Sequence, residues 1–259
     1  MAISIANKTI LITGASSGIG KSCAQLCAQA GARLILAARR KEKLQVLADK
    51  LEQVYDVPIL LLPLDVQDYD TVSTTIAGLP SDWQTIDVLI NNAGLSRGLD
   101  KQYESPIQDW EEMIDTNVKG LLYVTRAVVP GMVVRNWGHV VNIGSIAARQ
   151  TYTGGSVYCA TKAAVKALSE GLKIDLLGTS VRVTNIEPGL VETEFSTVRF
   201  RGNEAQAESV YQGMTPLTPE DIADTIVFAI TRPAHVNISE IFVMPTDQSS
   251  VAHVYRRSE

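Results

Sequence analysis

Seven short runs of aliphatic and β-branched residues punctuate the chain, at 8–13, 33–38, 59–64, 86–91, 139–144, 181–187 and 240–244. Between them lie stretches with apolar residues at helical spacing: 19–30, 41–55, 69–78, two within 107–135, 157–178 and 219–231. The first six runs are nearly continuous in Leu, Ile, Val and Ala, which predicts strands buried on both faces, as in a parallel sheet covered by helices. Strict alternation of strand and helix predicts a doubly wound α/β architecture. Seven strands in one sheet use the whole length, so a single domain is expected. Pro130 lies inside the last third of 107–135 and predicts a kink or a break there. The interval 193–218 carries no strand pattern and at most a short helix at 203–212. A region of that length between core elements suits a substrate lid.

Composition narrows the class without choosing a function. The 259 residues are 46% hydrophobic and 20% charged, with a formal net charge of −5. These are values of an ordinary globular protein with material for one large core. No run of Lys and Arg offers a nucleic-acid footprint. No apolar stretch reaches the ~20 residues of a membrane helix, and the N-terminus lacks the basic-then-apolar order of a secretory signal. Cys23, Cys27 and Cys159 are an odd and sparse set, which suggests reduced thiols packed in a cytoplasmic protein. No metal-ligand spacing is present.

The candidate chemistry gathers at the ends of the runs. Thr13-Gly-Ala-Ser-Ser-Gly-Ile-Gly20 follows the first strand and opens the first helix. Gly14, Gly18 and Gly20 allow a sharp turn and close approach of a ligand, while the helix start at Ser16, Ser17 and Ile19 offers free N–H groups to a phosphate. The second run ends in Arg39-Arg40 with no carboxylate. An acidic residue there would bind the ribose hydroxyl of NAD; arginine suits the 2′-phosphate of NADP. Asp65-Val66 ends the third run, where a carboxylate can accept from an adenine amino group or cap the next helix. Asn91-Asn-Ala-Gly94 ends the fourth, leaving room for a cofactor beside Asn92, Ala93 and Gly94. Ser145 and Pro188-Gly189 end the fifth and sixth. Ligands bind open α/β sheets along that edge. Tyr158-Cys-Ala-Thr-Lys162 puts a phenol and an ammonium one helical turn apart. The spacing predicts that Lys162 lowers the Tyr158 pKa and makes it a proton-transfer group, with Ser145 nearby to hold an oxygen.

As an ordered set, Thr13–Gly20, Asn91–Gly94, Asn117, Ser145, Tyr158, Lys162 and Pro188-Gly189 resemble the motifs of the short-chain dehydrogenase/reductase family over nearly the whole chain. The resemblance implies a Rossmann-type fold with a seven-stranded sheet and a homotetramer. It implies that Tyr158 is the acid/base, that Lys162 lowers its pKa and holds the nicotinamide ribose, and that Ser145 binds the substrate oxygen. It further implies that Asn117 holds a water linking Lys162 to solvent, and that Thr193 and Val191, after Pro188-Gly189, contact the cofactor. The tail Val243-Met-Pro-Thr-Asp-Gln-Ser-Ser250 lacks the Asp-Gly-Gly of many members. Together with 187–195, 198–203 and 233–237 it is similar to the subgroup of NADP-dependent 3-hydroxy acid dehydrogenases. That similarity implies hydride exchange with serine, allo-threonine or 3-hydroxypropionate/malonic semialdehyde. A carboxylate substrate needs a cationic clamp, for which Arg149, Arg199 and Arg201 are candidates. A reductase of neutral or thioester carbonyls and a non-catalytic NADP-binding regulator are the alternative classes.

Overall fold

The computed structural model describes residues 3–257. All seven expected strands form: β1 (Thr9–Thr13), β2 (Arg33–Ala38), β3 (Ile59–Pro63), β4 (Val88–Asn91), β5 (Gly138–Ile143), β6 (Val181–Pro188) and β7 (Glu240–Val243). They make one parallel sheet in the order β3-β2-β1-β4-β5-β6-β7. The order reverses direction between β1 and β4, so their C-terminal ends frame the crevice of a doubly wound fold.

Period-two alternation in the strands sorts the core into two layers. Ile10, Ile12, Leu34, Leu36, Ile90, Val141 and Ile186 face one side. There they meet α1 (Gly18–Gln29), α2 (Lys41–Tyr55) and, later in the chain, the helix of Pro219–Ile230. Leu11, Ile35, Leu62, Leu89, Val140 and Val183 face the other. They pack against α3 (Tyr69–Ala77), α5 (Leu121–Val134) and the end of α6 (Ser156–Asp175). Strands β1, β4, β5 and β6 are buried throughout, whereas the edge strands β3 and β7 are only partly covered. The aliphatic run at 59–64 therefore exceeds what an edge position requires.

Two local expectations change. Helix α5 runs unbroken through Pro130. Pro130 and Arg126 lie on its exposed side, so water can satisfy the carbonyl that loses its partner. The interruption falls earlier, where α4 (Ile107–Ile114) meets α5 through a π-helical turn at Asp115–Gly120. Such turns occur often at functional sites. The interval after β6 holds one helix more than expected, α7 (Glu194–Arg199), before the expected short helix α8 (Glu204–Ser209) and the following α9 (Pro219–Ile230). Thr193, Asn203 and Thr218 cap these helices through their side-chain oxygens. Among the described residues, no helix is long and apolar enough to cross a membrane.

Candidate active site

A cavity of about 820 Å³ opens over the C-terminal ends of β1, β2, β4, β5 and β6. At one end is the glycine loop. Gly14 has φ +64°, and a Cβ there would come within 2.9 Å of the Ala93 backbone and the Asn92 amide. A Cβ on Gly20 would come within 2.5 Å of Asn92 and of the Gly14 carbonyl. Gly14 is thus required by its backbone and Gly20 by close packing behind the loop. Asn92 holds the loop in place: its Nδ2 donates to Thr13 O and Gly14 O. Thr13 Oγ1 in turn accepts from Asn92 N and Ala93 N. Ser17 leads into α1 without a side-chain cap, and the first turn carries no acidic residue. Those uncapped N–H groups and the helix dipole suit an anion, so the residues present fit a dinucleotide pyrophosphate.

Beyond β2, Arg40 donates to Ser16 Oγ at 3.0 Å and Ser17 Oγ at 2.7 Å. It also pairs with Glu194 at 2.8 Å, which in turn pairs with Lys43. Arg39 lies 3.9 Å from Asp65. Asp65 accepts from Gln67 N, while the cap of α3 is Asp68. Asp65 therefore faces the cavity rather than ending a helix. Two arginines on one rim fit a 2′-phosphate. Val66, Gly94, Pro188, Gly189, Val191 and Thr193 also line the cavity. Gly20 sits behind the loop. Gly18, with φ +50°, faces the Thr193 side chain.

At the other end, Ser145, Tyr158 and Lys162 come together. Ser145 caps the short turn Ile146–Ala148 by accepting from Ala147 N at 3.1 Å, which leaves its own hydroxyl proton free to donate. Lys162 is buried and donates to Ile143 O at 2.7 Å, with Nζ 5.9 Å from the centre of the Tyr158 ring. Burial pushes its pKa down to about 8. Burial also pushes the Tyr158 phenol well above its ordinary range, and Tyr152 adds to the rise. The groups that pull it down are Arg199 and the Ser145 hydroxyl. Lys162 stands beside the phenol as the spacing expects, but burial outweighs the nearby cations and the Tyr158 pKa is raised rather than lowered. The ammonium points at a backbone carbonyl, and the phenol lies in an apolar cluster with Leu95, Met113, Ala147 and Cys159.

Other expectations also shift. Asn117 lies within the π-turn and outside the cavity wall. Its side chain accepts from Leu95 N and donates to Leu95 O and Thr161 Oγ1, which fixes the strand end to α6, and its Oδ1 and the Lys162 Nζ both lie against Gly94. Arg149 does not reach the cavity, because it is held by Glu187 and Glu240 at the sheet edge. Arg201 is turned outward onto Asp109. Of the three arginines considered for a carboxylate, only Arg199 lines the cavity. Sequence reasoning missed Tyr152, Phe195 and Tyr211, and the tail residues Gln248, Val251, Val254 and Arg256, which close this end. The lid assignment hinted at Phe195 and Tyr211, and nothing pointed to Tyr152. The tail carries no motif and reaches the cavity through loop contacts such as Leu190 N to Gln248 Oε1. Cys23, Cys27 and Cys159 are buried free thiols, and burial raises the pKa of each.

Known proteins share this arrangement. Residues 8–204 match the short chain dehydrogenase family. A Schizosaccharomyces pombe protein named NADP-dependent 3-hydroxy acid dehydrogenase is 49% identical over 251 residues, covering 96% of this chain and 97% of its own. A Salmonella typhi protein of the same activity name is 48% identical over 250 residues, covering 96% and 99%. The closed form of a serine dehydrogenase complexed with NADP+ superposes with a TM-score of 0.90 at 47% identity, over 96% of this chain and all of the other. Motif order, sheet topology and these full-length matches agree: the chain belongs to the short-chain dehydrogenase family.

Proposed function

We propose that the protein is an NADP-dependent oxidoreductase acting on the hydroxyl of small 3-hydroxy acids of the serine, allo-threonine or 3-hydroxypropionate/malonic semialdehyde type. The observation that carries the reading is the single cavity lined at one end by Arg39, Arg40 and the start of α1, and at the other by Ser145, Tyr158 and Lys162. Relatives named for this activity and cofactor support it. In this reading 193–218 is the substrate lid, and the protein works in the cytoplasm as a homotetramer, as family resemblance suggests.

Bound NADP would supply the hydride acceptor or donor. Gly14, Ser16, Ser17, Gly18 and Ile19 would hold its phosphates, and Arg39 with Arg40 its 2′-phosphate. Asp65, Val66, Asn92, Ala93 and Gly94 would line its adenosine side, and Pro188, Gly189, Val191 and Thr193 its nicotinamide side. Ser145 donates a hydrogen bond to the substrate oxygen and fixes it beside Tyr158. In reduction the neutral phenol, the form that its raised pKa keeps populated, gives its proton to the developing alkoxide. In oxidation it takes the alcohol proton. Lys162 donates once to Ile143 O and has two further donors for ribose hydroxyls.

A panel of 3-hydroxypropionate, serine, allo-threonine and a hydrophobic secondary alcohol, run with NADP+ and NAD+ in parallel, tests the reading. The expected result is acid oxidation with NADP+ preferred. Tyr158→Phe should lose about a hundred- to ten-thousand-fold in turnover while NADPH still quenches protein fluorescence. Near-normal turnover in that variant would sink the assignment of the acid/base.

A further inference from the structure

Four arginines line the cavity, and three of them have polar groups to neutralise or occupy their guanidinium. Arg39 faces Asp65 and Arg40 faces Glu194. Arg256 donates to the carbonyls of Gln212 and Val210. Arg199 is different. Among the described residues it has no carboxylate partner. Its Nη2 donates to Tyr152 Oη at 2.9 Å, and its Nε is buried with nothing to donate to.

Its surroundings raise the cost of that vacancy. The guanidinium carbon lies 5.3 Å from the centre of the Phe195 ring, 5.4 Å from Tyr158 and 5.9 Å from Tyr152. Three aromatic faces attract a cation but give its N–H groups no acceptor, and an unpartnered buried donor is unfavourable. The position is also fixed. Arg199 ends α7, its carbonyl accepts from Gly98 N at 3.0 Å, and the preceding Val198 carbonyl accepts from Arg97. Arg97 is itself held by Glu112. This planar fork is preorganised, half-buried, and one ring away from the proposed acid/base.

We infer that Arg199 anchors the substrate carboxylate, presented from the lid while the hydroxyl-bearing carbon rests at Tyr158 and Ser145. The inference rests on the hydroxy acid reading above and names the residue that makes it selective. A carboxylate would take the free Nε–H together with a neighbouring Nη–H in the two-pronged geometry arginine favours. Tyr152 is a positioning residue, holding the fork through its hydroxyl.

Steady-state kinetics with NADP+ on 3-hydroxypropionate and on its neutral methyl ester test the assignment. Propionate serves as a competitive, non-reacting probe. In Arg199→Met, KM for the acid and Ki for propionate should rise about 10- to 150-fold, the range for losing hydrogen bonds to a charged group. The ester should change by a far smaller factor, and Arg199→Lys should regain part of the acid preference. NADPH fluorescence titration checks that each variant keeps its fold. Equal losses on acid and ester, with NADPH binding intact, would overturn the anchor while leaving the hydroxy acid reading standing. A wild-type enzyme that oxidises the ester but not the acid would overturn that reading itself, and the anchor with it. If Arg199→Met fails to bind NADPH, the propionate Ki of Arg199→Lys decides: a rise supports the anchor, and no change removes it.

Discussion

Replacing Glu194 by glutamine is expected to tighten NADPH binding and leave NADH binding unaltered. Glu194 opens α7 and its carboxylate takes both Arg40 and Lys43 at 2.8 Å. Arg40 is on the rim where a 2′-phosphate would sit, and Lys43 is tied to it through Glu194, so the phosphate must share this charge with a carboxylate. The side chain is 45% exposed, and each of its ion pairs belongs to the surface class of about 0.2–1 kcal/mol. Relief of that competition over two pairs comes to about 1 kcal/mol, roughly a fivefold lower Kd. Acidification cannot imitate the substitution. Burial pushes the Glu194 carboxyl up, but Lys43 and Arg40 outweigh it and hold the pKa near 2. Fluorescence titration of NADPH and NADH on both proteins, at low and high salt, measures the effect. The gain should shrink as salt screens the exposed charges, since the Debye length is about 10 Å at 0.1 M. Equal tightening of NADH would refute the argument, because NADH has no 2′-phosphate. Weaker NADPH binding would show that Glu194 holds Arg40 and Lys43 in place instead of competing for them.

Two further substitutions separate charge from structure. Lys162 is buried, with a folded pKa of about 8 against an ordinary 10.5. Below pH 8 both states carry the proton and the folded state bears the burial cost; from about 8 to 10.5 only the unfolded state keeps it, so stability rises with pH. Lys162→Met removes a penalty of about 3 kcal/mol and a hydrogen bond of about 1–2 kcal/mol. It should therefore melt higher than wild type at pH 7, lose that advantage near pH 10, and be inactive; a lower melting temperature at pH 7 would contradict the burial argument. Arg149→Ala strands the fully buried Glu187. We expect a loss of about 2 kcal/mol, less than for a fully buried pair because Arg149 is 40% exposed. Burial already raises the Glu187 pKa, so the folded state binds the extra proton and the deficit should grow from pH 5 to pH 8 in thermal melts. KM for a hydroxy acid should not move.

What was legible in the sequence follows physical reach. Strands β1, β4, β5 and β6 are buried on both faces, so only aliphatic runs can build them, and their ends carry the glycine loop, Asn92 and Ser145. The i,i+4 spacing of Tyr158 and Lys162 likewise needs only a helix. The π-turn at 115–120 has no comparable signature, since it alters one step of an otherwise helical pattern. Pro130 was misleading because its effect depends on whether the freed carbonyl meets water. The three arginines could not be ranked, because their partners lie far away in the chain: Glu187 and Glu240 for Arg149, Asp109 for Arg201, Tyr152 for Arg199.

The same dependence on distant residues governs the proton chemistry at Tyr158. Spacing puts Lys162 beside the phenol, yet its ammonium also donates to Ile143 O, and Arg199 is a second cation that lowers the phenol's pKa. On the proposed reading Arg199 has two tasks that oppose each other. A carboxylate bound to its guanidinium neutralises the charge that favours phenolate, so an acid substrate itself drives Tyr158 toward the protonated form. A protonated phenol is the donor that a carbonyl needs and the wrong species to accept an alcohol proton. Reduction of a semialdehyde acid is therefore served by the protein groups alone, whereas oxidation of a hydroxy acid must draw a compensating positive charge from Lys162 or from the cofactor side of the cavity. On that reading, direction is set partly by where the substrate's own negative charge rests.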